Sequence, residues 1–184
     1  MLEQILEVMQ DAGVYQSGTT HPKKVTFLQE VRDICADNTC RKYGTSWACP
    51  PAVGTVEECR TRCLSYDTMI VFTGKYDLED SFDYEGMIQG IQDFKKLALK
   101  VDALVSPFLE DYLVLSNESC ELCSDCTYPD APCRFPDQMQ HSLEGYGIMV
   151  GELAKMTGVN YNNGPNSVTY FGALLFSDKL QPAN

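Results

Sequence analysis

The chain predicts an α/β fold of the α+β kind, in which a small mixed β-sheet is packed with helices and carries cysteine-rich loops. Three observations lead there. Thr68-Met69-Ile70-Val71-Phe72-Thr73 is a near-continuous apolar run of strand length closed by Gly74, as expected for a central strand buried on both faces. Met87, Ile91, Phe94, Ala98, Val101 and Val105 then recur at helical spacing until Pro107 stops them. Tyr112-Leu113-Val114-Leu115 is the next strand, and it runs directly into a loop of closely spaced cysteines, the usual way for a rigid strand to position a site.

The remaining elements follow in order. Leu2, Ile5, Leu6 and Met9 share a helical face that ends at Ala12-Gly13, where glycine suits a left-handed cap. Residues 16–24 are polar and turn-rich and read as a loop, with His21 a solvated loop histidine before Pro22. Val25-Thr26-Phe27 reads as a short strand, followed by a segment leading to the first cysteines. Thr55 can cap a helix whose first turn holds Glu57 and Glu58, with Val56, Cys59 and Cys63 on one face. Residues 77–83 form an acidic loop. Ser142 is expected to cap a helix carrying Leu143, Tyr146, Val150 and Leu153 and ending at Thr157-Gly158. The last strand is Val168 to Phe176, with Gly172 either packing against a helix or making a bulge. Alternating strands and helices suggest a layered sandwich, and no period of repeat length appears.

A chain of 184 residues suits one domain with a full core, here expected over 1–184. Within it, 1–24 would form an N-terminal helix and loop, and 25–184 the cysteine-rich α/β core. Fourteen basic against 26 acidic side chains leave a net charge of −12, which repels nucleic acid and anionic lipid surfaces. No apolar run approaches the roughly 20 residues that cross a bilayer. Nine cysteines form an odd set, and the N-terminus lacks a basic region followed by an apolar run, so a secreted disulfide scaffold is not expected. Reduced thiols in a cytoplasmic protein, with metal to bind, account better for them.

Two groups of cysteines carry the chemistry. Cys120, Cys123 and Cys126 repeat as C-x2-C-x2-C, and Cys133 follows inside Ala131-Pro132-Cys133-Arg134-Phe135-Pro136. Structural zinc sites usually join two close cysteine pairs a dozen or more residues apart. The third thiol here comes too early for that pattern. Such a loop suits the face of an iron–sulfur cubane, where each thiolate takes a different iron, as in the bacterial ferredoxin run. It is not a ferredoxin repeat, because x6-C-R stands where x3-C-P would. The second group is Cys35, Cys40 and Cys49, with Gly44 and the Pro50-Pro51 pair shaping the return of the chain. Burial on one helical face is enough to explain Cys59 and Cys63, yet either could still reach this group, with Cys59 the expected fourth ligand. Trp47, the only tryptophan, reads as an aromatic anchor filling the core edge under this loop. Arg134 is placed to offset the charge of a thiolate-bound cluster, or to pair at the surface.

The segment Cys40, Tyr43, Gly44, Trp47, Cys49, Pro50 and Pro51, together with Cys120, Cys123, Cys126, Pro132, Cys133, Arg134, Pro136, Ser142, Glu144, Gly147 and Ile148, resembles an uncharacterised bacterial and archaeal family of predicted metal-binding proteins. The resemblance covers roughly residues 31 to 177. It implies metal or iron–sulfur binding and carries no reaction with it.

The leading expectation is an iron–sulfur protein with one 4Fe–4S cluster or two, acting in electron transfer or as a redox accessory beside a redox partner protein. Zinc is the alternative metal, in a stapled interaction module. A further alternative is an enzyme with an open iron site near His141 and Glu144. No nucleophile–base triad, phosphate loop or dinucleotide fingerprint is present, and two histidines leave little for general-base chemistry.

Overall fold

The computed structural model describes residues 1–177. Five strands form one mixed sheet in the order β1-β2-β5-β3-β4, comprising β1 (Gln16–Thr20), β2 (Thr68–Asp77), β3 (Tyr112–Ser116), β4 (His141–Ser142) and β5 (Ser167–Phe176). All neighbours are antiparallel except β3 and β4, which run parallel. Five α-helices surround it, α1 (Leu2–Ala12), α2 (Gln29–Ala36), α3 (Val56–Leu64), α4 (Tyr84–Val105) and α5 (Val150–Thr157). The α+β class expected from the sequence is the observed one.

Period-two alternation along the central strands decides which helices pack where. Ile70, Phe72, Leu174 and Phe176 face α1 and α4, meeting Ile5, Met9, Phe94, Ala98 and Val101. Met69, Val71, Ala173 and Leu175 face the opposite way, toward Cys59, Cys63, Leu143, Tyr146 and Leu153. With both sheet faces covered, β2 and β5 read as unbroken apolar runs. Among the described residues, no helix is long and apolar enough to cross a membrane.

Several expectations need correction. Residues 16–20 are not loop but edge strand β1, whose polar side chains hide its strand character. Val25–Phe27 forms no strand beyond a single bridge from Phe27 to Ile148. Next to it lies a helix the sequence reading missed, α2, which buries Val31 and Arg32 and carries few apolar residues to mark its face. Ser142 caps no α-helix. It belongs to β4, a short turn of 3-10 helix follows at Glu144–Tyr146, and Gly147 at φ 79° separates that turn from α5. By contrast Thr55 caps α3 as expected, accepting from Glu58 N while the Glu58 carboxylate accepts from Thr55 N.

Gly172 neither bulges nor packs on a helix. It pairs in register with Phe72, and a Cβ there would stand 2.5 Å from Phe72 Cζ and 2.8 Å from Leu115 O. Gly172→Ala is therefore expected to lower stability by about 1–3 kcal/mol through overpacking, read as a reduced urea midpoint with unchanged slope. A variant as stable as the parent would show that β3 yields easily at this point.

Candidate metal centre

Strand β3 ends at Ser116, and the chain then enters residues 117–135, which carry four of the nine cysteines. All nine are free thiols. The loop is braced from three sides. Trp47 Nε1 donates to Ala131 O at 2.9 Å, and its ring meets Tyr128 edge-on, with centroids 4.9 Å apart. The tryptophan thus clamps the two cysteine loops together and does not fill the core edge as expected. Arg134 Nη1 donates to Asp125 O at 2.7 Å, tying the far end of the loop to its middle. Its observed role is this backbone brace, on an exposed side chain.

The third brace is a buried cation. Lys95, on α4, is only 7% exposed, and its ammonium donates to Asn117 O at 2.8 Å and to Ser119 O. Burial lowers its pKa, and Glu121, Cys120, Glu118 and Cys49 oppose that fall. One positive charge is thereby held between the first thiol of the loop, Cys120, and Cys49 of the other group. Sequence reading passed over Lys95, although a signal existed: it lies four residues after Ile91 and three before Ala98, on the buried face of a helix.

Cys126 sits against the first cysteine loop. Burial works against its thiolate, yet the backbone N–H groups of Trp47, Tyr128 and Thr127 and the Ser46 side chain surround the sulfur, and together they hold its pKa below the ordinary thiol range. Donors aimed at sulfur are what a metal-bound thiolate requires. Cys120 borders a hollow of about 270 Å³ with Lys95 and Glu121, while Cys123 and Cys133 are half-buried on the loop.

Cys35, Cys40 and Cys49 come together on the walls of a single cavity of about 170 Å³, with Lys42, Glu118 and Glu144. Local structure explains the convergence. Cys35 rides on the last turn of α2, and Gly44, at φ 68°, donates its N–H to Pro50 O at 2.8 Å, folding Cys40 and Cys49 toward each other. His141 Nδ1 lies 3.2 Å from Ala48 O, an arrangement that places the ring proton on Nδ1. Burial pushes the Cys49 thiol up to about 11 and raises that of Cys35, so in the metal-free chain both are protonated.

The structure does not bring Cys59 to this cavity. Its sulfur accepts from Arg32 Nη2 at 3.4 Å, lies 3.6 Å from Val53 O, and is fully buried in the core with Cys63. Arg32, which sequence reading also missed, donates to Gly54 O at 2.6 Å and to Gly145 O, joining α2 to the turns that precede α3 and α5. Cys59 therefore serves as an acceptor for a buried guanidinium, with helix geometry turning it inward.

Glu144 lines the same cavity as the three thiols. It lines an open cleft, so its surface remains accessible, but protein surrounds the carboxyl and the resulting desolvation pushes its pKa up to about 7. A carboxyl held above its unfolded value of 4.5 binds more protons when folded, so the metal-free chain loses stability as pH rises from 4.5 to about 7. Glu144→Gln should remove that slope and stabilise the metal-free chain at pH 8 by on the order of 1 kcal/mol, after discounting for solvent screening. Urea midpoints of both chains at pH 5 and pH 8 check this, and parallel pH dependence would refute it.

Soft thiolate donors, N–H groups directed at sulfur and a buried cation between two thiol groups fit a thiophilic metal centre, and suit hard cations poorly. The chain belongs to the family described as "Predicted metal-binding protein (DUF2284)", whose family model matches residues 19–176. No curated protein and no solved structure matches it.

Proposed function

We propose that this metal-binding chain is an iron–sulfur protein of the cytoplasm, acting in electron transfer or as a redox accessory, with Cys120, Cys123, Cys126 and Cys133 as the ligands of a 4Fe–4S cluster. The observation that carries the reading is the environment of the loop thiols. N–H groups converge on Cys126, and the Lys95 ammonium lies beside Cys120 at the loop entrance. When bound, the cluster supplies one-electron exchange. The residues around it set how readily that happens. Donors to sulfur and a nearby cation stabilise the more negative, reduced state and raise the potential. Trp47 ties the loop to the first cysteine group and Arg134 ties its far end to its middle. An acidic chain of net charge −12 steers toward a basic redox partner protein and away from nucleic acid and anionic membranes.

Protein prepared without oxygen and assayed for iron, acid-labile sulfide and zinc tests the reading. Iron and sulfide in equal amounts, with a visible spectrum that reductant bleaches reversibly, are expected. Colourless protein holding stoichiometric zinc would replace it with the zinc-stapled module.

A further inference from the structure

We infer that the cavity walled by Cys35, Cys40, Cys49 and Glu144 is a second metal centre, a polynuclear iron–sulfur core held by three thiolates and one carboxylate. It is separate from the Cys120–Cys133 site and does not depend on that site being occupied.

The four side chains come from the end of α2, the two arms of the loop closed by Gly44, and the turn after β4, and all of them line one partly open hollow. Convergence from so many segments needs a structural reason. No hydrogen bond joins the three thiols to one another among the described residues, and packing alone would not gather the half-buried Cys35 and exposed Cys40 around a hollow. The backbone around the cavity is held in an uncommon conformation as well. Asn38, Arg41 and Glu118 have φ of 52°, 59° and 50°, a region that costs energy for residues other than glycine, and such residues cluster where a site needs a particular geometry.

The donor set decides the class of metal. Three thiolates select zinc or iron–sulfur cores over hard cations. Among the described residues, no three His, Cys, Asp or Glu side chains are gathered closely enough to hold an ion in the metal-free chain, so binding here would draw the thiols inward. Thiols spread around the walls of a cavity suit a core in which each binds a different iron. The fourth donor is oxygen, because Cys59 is engaged by Arg32 and buried in the core, while Glu144 is on the cavity wall. Lys42 on the wall and Lys95 near Cys49 offset the negative charge of such a set. A carboxylate holds iron less firmly than a thiolate does, so the Glu144 corner, which opens to solvent, is the one where an incoming ligand would exchange.

The full-length chain, reconstituted anaerobically with ferrous iron and sulfide, tests this by metal count. The parent is expected to hold about eight irons, two cores of the four-iron class. Cys123→Ser and Cys49→Ser should each retain about half, and Cys59→Ser should match the parent. In the Cys123→Ser background, one equivalent of ferricyanide should take one electron from the remaining core and release one ferrous ion from the corner without a thiolate. Glu144→Cys should suppress that release. Full iron loading in Cys49→Ser, equal loss in Cys59→Ser and Cys49→Ser, or uptake of a single zinc at these cysteines would overturn the inference. Loss of the loop assignment alone looks different: Cys123→Ser would then keep all its iron, while Cys49→Ser lost it. Near-ultraviolet circular dichroism of each metal-free variant separates ligand loss from misfolding.

Discussion

Cys123→Ser is expected to strip the metal from the loop and to lower stability by several kcal/mol, whereas Cys63→Ser should keep full metal content. The two thiols occupy opposite environments. Cys123 lies half-buried on an irregular loop with no hydrogen-bonded ladder of its own, so a ligand shared by its thiols would add to the few contacts that hold it. A ligand that binds only the folded chain adds about 4 kcal/mol of stability when its concentration is a thousandfold above its Kd, and losing it removes that amount. Cys63 is fully buried on α3 against Met69, Val71 and Leu153, and burial pushes its thiol up to about 12. It is a neutral packing group, and a serine hydroxyl there would cost about 1–3 kcal/mol as an unsatisfied buried donor. Metal content per chain decides between the roles, and the urea midpoint measured with and without chelator shows how much stability the metal contributes. Equal metal loss in both variants would show that Cys63 reaches a centre after all.

What could be read from the sequence follows from what each signal reports. Long apolar runs revealed β2, β3, β5 and α4 because burial on two faces, or along a continuous stripe, leaves a strong periodic mark. Strand β1 is Gln-Ser-Gly-Thr-Thr, which pairs through its backbone and carries almost no apolar mark, so composition alone reads it as loop. Helix α2 is short and shows only Val31, Ile34, Cys35 and Ala36 among polar residues, with Ile34 itself exposed. The cysteine spacing marks the loop set for a similar reason, since four sulfurs within fourteen residues can be turned toward one centre by local chain folding. Cys35, Cys40 and Cys49 could be grouped by eye, but their fourth neighbour could not. Glu144 lies ninety-five residues beyond Cys49, and only the parallel pairing of β4 with β3 carries it to the cavity. Cys59 looked like the fourth ligand because it is near in sequence, and a buried arginine from α2, itself an unrecognised helix, claims it first.

Lys95→Met should weaken the chain far more when metal is bound than when it is absent. In the metal-free protein two effects oppose each other. Removing a buried ammonium relieves its desolvation, the same cost that lowers its pKa, but it also leaves the carbonyls of Asn117 and Ser119 without their donor in a buried setting. An unpaired buried acceptor costs about 1–3 kcal/mol, while exchanging a buried charge for an apolar group of similar shape often returns about as much. The net change in the metal-free chain should thus be small. Metal binding converts the thiols to thiolates and changes the balance, since the ammonium is then the buried positive charge between Cys120 and Cys49. Its loss leaves negative charge uncompensated in a low-dielectric setting, and the bound metal should weaken at least tenfold, about 1.4 kcal/mol. If the centre is a one-electron couple and the reduced state loses tenfold more than the oxidised one, the midpoint potential falls by about 59 mV. Chelator competition and voltammetry on the parent, Lys95→Met and Lys95→Arg read both effects, with arginine expected to restore much of the loss by keeping the charge. Equal destabilisation of metal-free and metal-loaded Lys95→Met would mean that Lys95 supports the loop backbone only, and that the charge of the centre is balanced elsewhere.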